Sequence, residues 1–555
     1  MFDLPPELAL EILAYLPLNS LATLPLVCRH WRNIFIIHAS HIHHKAALLH
    51  GYIRSTAISI EDANKLYSQR SVGIVCGWRD LCRKRYCIEQ SWSGRAPSAV
   101  TPHPSAGKFV HRIKVDEKAG YILTTSSVGG LSVTDLHGDQ ELWSLPDHHV
   151  RPYAHCEYGE GYVIFDYIDG SKEVWRRVDD CNEDEVASSV VPESQPGARQ
   201  QRVSATAVEI YATATTKRGH FRPWAVLHPP QTTRAFRFSY PYLGAAAWDA
   251  VYLWDVRTGA LVQAINQTQL GTNGEDVQGV LEVLGDINYI EVSDKYVFLC
   301  GIHSLRIFSR ETGKAVLDIP SSKYPIASWH FSISPDRPAP GVQGSSLVLQ
   351  KLVSRPVPLE ESIIVNEFIA VHISTCGSHL AALMLSSKLI IIHNFEEAFK
   401  HGVPIRELSL EIQLGSPCHS SRYLTFENGR IGVATKTGVF VITSDWFEPS
   451  NRNNSRDTPP PPPRLSVFRV PDLADRSCLG AVSCLQMTDT GLFLNWEVDS
   501  LPDGHEERVA AMDETFYNSV SDEPTFASLA NGVEVTLVDL HGSSLLSLSS
   551  RLVLH

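Results

Sequence analysis

The chain has 555 residues with 48 basic and 61 acidic side chains, a formal net charge of −13 at neutral pH, 43% hydrophobic residues and 20% charged ones. Such a composition buries a large core and excludes wholesale disorder, and an acidic balance without a basic tail excludes a general binder of nucleic acid or acidic lipid, whose phosphate contacts need clustered Lys and Arg. The scattered cysteines, and an N-terminus with no charged start before an apolar run, argue against a secreted disulfide scaffold. The best apolar stretch, 380–392, is interrupted by Ser386, Ser387 and Lys388, so no membrane segment is expected and the cytoplasm and/or nucleus is the expected compartment.

In the first ~95 residues apolar side chains recur at helical spacing. Pro5 and Pro6 suit the first turn of a helix, with Asp3 placed to cap it. Leu8, Ile12, Leu13 and Leu16 are expected on one helical face, and Pro17 ends the helix. Asn19 or Ser20 can cap a second helix, and Leu21, Leu24, Val27, Cys28 and Trp31 continue the pattern through Pro25 into a third. Three short helices bury little core and expose leucines, which predicts a partner.

This run, from Leu4-Pro5-Pro6-Glu7-Leu8 through Glu11-Ile12-Leu13, Leu16, Leu21 and Leu24 to Val27-Cys28-Arg29 and Trp31-Arg32, resembles an F-box. The resemblance implies docking onto a Skp-family adaptor and, through it, onto the cullin and RING protein of a ubiquitin ligase. It implies adaptor contacts at Leu4, Pro5, Pro6, Leu8, Ile12 and Leu13, with Leu16, Leu21, Leu24, Val27 and Trp31 shared between adaptor and internal packing. A second stretch, Trp78 to Gly94, resembles the helix that joins an F-box to the first blade of a WD-repeat propeller. Trp78, Leu81, Tyr86, Ile88 and Trp92 are expected to pack there, with Gly94 as the helix stop. The resulting division is an F-box domain over 1–50 and a helical linker over 51–97.

Other clusters read as structural. His38, His41, His43 and His44 share a helical stretch with no cysteine or carboxylate at ligand spacing, so a polar face is expected and no metal. Cys76, Cys82 and Cys87 are not spaced as Cys-x-x-Cys and read as buried thiols. Arg83-Lys84-Arg85 reads as a solvated face. No Gly-x-Ser-x-Gly elbow, phosphate-binding Gly loop or His-Glu-x-x-His occurs in the sequence, so neither a cofactor nor catalysis is expected.

From about residue 109 short apolar runs bounded by turn residues follow one another: 120–125, 131–134, 162–167, 251–255, 296–300, 305–308, 368–373, 389–393, 431–435, 439–443, 492–496 and 533–538. With so little helix between them, an all-β body is predicted. Internal repetition selects a propeller. Val251 to Val262 aligns with Leu305 to Val316 on the pairs Thr258-Gly259 and Thr312-Gly313, and the units at 130–138 and 535–542 both end in Asp-Leu-His-Gly. A strand ending on Trp-Asp, a turn with Gly, then a second strand resembles half a blade of a degenerate WD repeat. The fold class expected is α+β and multidomain: a helical F-box and linker, then an all-β propeller over 109–555 with seven blades, six or eight being the alternatives. Its length exceeds that of compact repeats of ~40–45 residues, so loop-like insertions are expected near 179–201, 449–464 and 499–524.

Together these parts imply the substrate-recognition subunit of an SCF-type E3 ubiquitin ligase, which does no chemistry itself. The alternatives are a propeller scaffold bound to the adaptor without ligase turnover and, last, a propeller enzyme. Family receptors often read phosphorylated targets with arginines at the propeller's centre; Arg222, Arg234, Arg237, Arg306 and Arg422 are the candidates here.

Overall fold

The computed structural model describes residues 5–496 and 534–539, apart from 74, 97, 108, 181–193, 215, 276–280, 322–325, 339–346, 352–365, 416–420, 448–463, 472 and 474. Leu4, Asp3, the insertions at 449–464 and 499–524 and the second Asp-Leu-His-Gly beyond Asp539 therefore lie wholly or mostly outside the described residues. No described helix is long and apolar enough to cross a membrane.

Six helices open the chain: α1 (Pro6–Leu13), α2 (Leu18–Val27), α3 (Arg29–Leu49), α4 (Ile60–Lys65), α5 (Gln69–Val72) and α6 (Trp78–Trp92). Prolines set the first two starts. Pro5 and Pro17 are the N-caps, both extended, and neither makes a side-chain cap, so Asn19 and Ser20 do not cap α2. A proline ring fixes φ near the value a helix start needs, which replaces the expected polar caps. α4 is capped in the ordinary way, the Ser59 hydroxyl accepting the Asp62 N–H.

The segments read as F-box and linker share one core. Leu13, Leu18 and Leu21 meet Phe35, Ile42, Ala46 and Ala47 of α3, then Tyr52, Ile53, Ala63 and Val72, and finally Trp78, Leu81 and Cys82 of α6, with Tyr86 packed at its margin. Three short helices alone lacked enough interior, and the later helices supply it. The far half of α6 belongs to another core, where Ile88 and Trp92 lie among Val439, Phe468, Leu479, Leu494 and Trp496. α6 stops as expected. Gly94 adopts φ +69°, its N–H donates to the Ser91 carbonyl and the Arg95 N–H reaches back to Gln90, closing a Schellman turn.

The rest is a ring of antiparallel sheets. Four-stranded sheets begin at Val110, Cys156, Ala235, Ile287, Ser421 and Leu485, each laid out from its first strand outward. A six-stranded sheet lies between those that begin at Ile287 and Ser421. Its strands Phe368–Ile373, Leu380–Met384, Lys388–Ile392 and Ser409–Gln413 are extended by Trp329–Pro338, which runs parallel to Ser409–Gln413, and then Leu347–Lys351. The first strand of each sheet packs against the first strand of the next, and Leu485–Met487 returns to Val110–Asp116, so the ring closes. The regular four-stranded blade thus occurs six times among the described residues, not seven, and the remaining sheet is enlarged by the added hairpin. The Leu485 sheet joins both ends of the propeller, because Ala99–His103, just after α6, pairs with Glu534–Asp539.

Each of the twelve expected strand runs is a strand, with ends within two residues. The aligned repeats occupy the third and fourth strands of their sheets, and both carry an irregularity at the same point, Leu253/Trp254 and Ile307/Phe308. Asp255 closes its turn by accepting the Arg257 N–H, as Asp135 accepts those of His137 and Gly138. One insertion differs from expectation. Part of 179–201 is the start of a helix, α7 (Ala198–Ile210), whose buried Gln200 donates to the Val174 and Ala225 carbonyls and whose Ala207 packs beside Trp143 and Phe221. Carbonyls of two paired strands, at the irregularity beside Val174, hold this polar segment in helical form.

Candidate functional site

The first helix and the turn that follows it carry two apolar stripes. Ala9, Leu13 and Leu16, spaced i, i+4 and i+7, turn inward, while Leu8, Ile12 and Tyr15 at the same spacing turn outward. Leu13 and Leu21 are each only 1% exposed, whereas Leu8 is 52% and Ile12 48% exposed. Leu13 and Leu21 therefore lie in the core of the helical domain, and the single face expected for Leu8, Ile12, Leu13 and Leu16 splits in two. Leu16, Leu24 and Trp31 are half-buried against the core, and Pro5, Pro6 and Val27 are exposed. Leu26, Ile36 and Ile37 are exposed as well. Of these, Tyr15 could have been found from its i+7 spacing to Leu8; Leu26, Ile36 and Ile37 carry no comparable signal.

The ring encloses a channel of about 930 Å³. Four consecutive innermost strands place alternating charges on its wall, and the fifth adds a histidine. Lys114 pairs with Glu157 at 2.9 Å, Arg237 lies between Glu157 at 3.1 Å and Glu291 at 3.3 Å, and His372 meets Glu291 at 2.8 Å. Burial pushes the Glu157 carboxyl up, but Arg237 and Lys114 overcome it and hold it well below the usual carboxylate range. Burial also lowers His372, against the pull of the Glu291 carboxylate. Of the arginines singled out in the sequence, Arg237 is thus engaged on the channel wall, Arg234 stands at its rim on Asp286 at 2.7 Å, and Arg306 is buried on Asp318 at 2.7 Å. Arg222 sits on the outermost strand Phe221–Leu227, away from the channel lining, and the Arg422 side chain lies outside the described residues.

Residues 1–39 match the family described as F-box-like. The chain opens with an F-box-like domain. No curated protein matches the chain. Among solved structures, the WD40 repeats of RRP9 are 8% identical, cover 79% of this chain and 97% of their own, and give a TM-score of 0.42. For U3-55K the figures are 7% identity, 79% and 98% coverage and a TM-score of 0.40, and for the computationally designed Ika8 protein 11%, 71%, 95% and 0.36. The assignment of an all-β propeller rests on the ring of sheets described above.

The F-box-like domain is mounted on the propeller by α6. Arg85 is buried and grips the Asp489 carboxylate with both guanidinium branches, one at 2.9 Å. Ser71 donates to the same carboxylate at 2.7 Å, Arg70 to the Thr490 hydroxyl at 3.2 Å, and the Trp92 indole to the Asp489 carbonyl at 2.9 Å. Burial alone would loosen Arg85's proton; the Asp489 carboxylate more than restores it. The basic run was expected to be a solvated face. Only Arg83 is well exposed, because a charge facing another domain's carboxylate is invisible in sequence.

The histidine stretch is likewise not a plain polar face. His43 is buried and donates to the Ala39 carbonyl at 2.8 Å, and His44 stacks on Trp78 with ring centres 4.1 Å apart. Among the described residues no group of His, Cys, Asp or Glu is arranged to hold a metal. Of the three cysteines, Cys82 is buried and its thiol is pushed up to about 12 by burial, but Cys87 is half-buried and Cys76 is exposed.

Proposed function

We propose that this chain is the substrate-recognition subunit of an SCF-type ubiquitin ligase, its F-box-like domain bound to a Skp-family adaptor and its propeller to a target protein. The observation that carries this reading is the outward stripe of Leu8, Ile12 and Tyr15, with exposed Leu26 and Val27, on a domain whose own core is already complete. An apolar face of this kind on a folded unit marks a protein interface. The chain performs no chemical step. It raises the effective concentration of a target lysine near a charged conjugating enzyme, and the α6 mount supports that role by tying the adaptor-facing unit to the ring. A scaffold role without turnover would show as adaptor binding without cullin.

The test is capture of purified Skp-family adaptor by the intact chain and by a Leu8→Ala, Ile12→Ala double variant. Each truncation in a buried interface costs about 2 kcal/mol, so the pair should lose most of the binding while the thermal midpoint holds. Leu13→Ala, by contrast, should destabilise the fold by about 2–5 kcal/mol through a core cavity. An intact chain that fails to bind adaptor sinks the reading.

A further inference from the structure

Large apolar side chains stand exposed around one end of the channel. Val128, Ile168 and Trp248 occupy the turns between the second and third strands of the sheets that begin at Val110, Cys156 and Ala235, and each is half or more exposed. Strands alternate in direction within a sheet, so these turns share one face of the ring, the face where the innermost strands begin. Exposed Tyr153, on the connection between the first two of these sheets, itself lines the channel. The arc is continuous with the channel wall. Tyr153 meets His111 edge-on at 5.4 Å, Arg151 pairs with Asp166 just before Ile168, and Arg234 lies over the Trp248 ring at 5.9 Å.

The charges at this mouth are mostly matched already. Arg151 is held by Asp166, Arg234 by Asp286, and Arg237 by Glu157 and Glu291. Among the described residues, Arg112 is a half-buried lining cation here whose hydrogen-bond partners are not carboxylates, whereas Lys172 is buried near Asp166 and Asp169. Arg112 donates to the His111 and Ser483 carbonyls and to His155. Lys172 donates to the Gly170 carbonyl at 3.0 Å and lies 4.7 Å from the Phe236 ring centre. His155 packs on Phe236 at 4.6 Å, so Arg112 stands on one side of this ring pair and the buried Lys172 underlies the other. A phosphate dianion is best bound by several arginine donors, and here it would have to strip arginines from buried or half-buried carboxylates. A single carboxylate with apolar neighbours meets both features without that cost.

We infer that this mouth docks an unphosphorylated segment of the target in which one acidic residue is flanked by large apolar ones. The carboxylate faces Arg112, and the apolar side chains cover Tyr153, Ile168 and Trp248. This rests on the receptor reading above and names what the receptor reads.

The test is selection of random phage-displayed dodecapeptides on the immobilised full-length chain, followed by fluorescence titration of the enriched peptides. Enriched sequences should place Asp or Glu between aromatic or aliphatic residues. An Ile168→Ala, Trp248→Ala variant, truncated only at exposed positions, should weaken them about ten-fold or more at an unchanged thermal midpoint. No enrichment, binding indifferent to that variant, or binding confined to a parallel library of phosphoserine peptides would each overturn the inference. Adaptor capture on the same preparations separates the two readings. Retained adaptor with no peptide selection ends this inference alone, and peptide selection without adaptor ends the ligase reading alone.

Discussion

A single carboxylate shows how the channel trades stability for openness. Glu427, at the end of its innermost strand, lines the channel, and burial pushes its carboxyl up to about 7 from an ordinary value of 4.5, with Arg237 opposing and Glu291 adding to the rise. The unfolded chain therefore releases this proton first. Between those two pH values the folded state binds more protons, so stability falls as pH rises from about 4.5 to 7 and stays lower above. Glu427→Gln should leave the melting midpoint unchanged at pH 5 and raise it at pH 8; thermal unfolding at both pH values checks this, and equal midpoints of the two proteins at pH 8 would contradict it. The same scale explains why Gly94 is glycine. Its φ is +69°, and a Cβ there would come within 2.3 Å of the Phe468 ring, so both the backbone and the packing require the missing side chain.

At the scale of elements, α6 is the decisive piece, since it inserts one end in the core of the F-box-like domain and the other in the propeller. Its bond to the Asp489 turn is a buried ion pair whose value lies in orientation as much as in stability. Removing one partner of such a pair costs up to about 3–5 kcal/mol, although Asp489 would keep the Ser71 hydroxyl and, at 3.9 Å, Arg430. Arg85→Ala should therefore free the F-box-like domain from the ring while each keeps its own core. Spin labels at Ile36 and Trp248, both exposed, should report a narrow distance distribution in the parent chain and a broad one in the variant. An unchanged narrow distribution would show that Ile88 and Trp92 suffice.

The whole ring depends on pairing between its two ends. Ala99–His103 lies directly after α6, and its partner Glu534–Asp539 arrives more than four hundred residues later, between it and Gly491–Trp496. That strand closes the circle by hydrogen bonds on both of its edges. A chain ending at 539 should melt like the full chain, whereas one ending at 533 should melt lower and with a broader transition, because an open ring exposes two strand edges and loses cooperativity. Calorimetry of the two truncations checks this, and equal midpoints would make the closing strand dispensable.

The sequence by itself determined what local chemistry decides. Strand positions were legible because short apolar runs end at Asp, Asn and Gly turns, and Asp255 and Asp135 perform in space the turn closure their positions imply. The helix stop at Gly94 and the F-box-like opening were legible for the same reason. Only the tertiary structure decided which stripe of α1 faces out, since Leu8 and Leu13 have the same hydrophobicity and differ only in what covers them. It also decided that Arg85 is buried, that 198–210 is a helix packed on a sheet, and that one sheet has six strands. Each depends on a partner distant in sequence, as Arg85 does on Asp489 and Trp329–Pro338 on Ser409–Gln413, and no local periodicity carries the identity of such a partner.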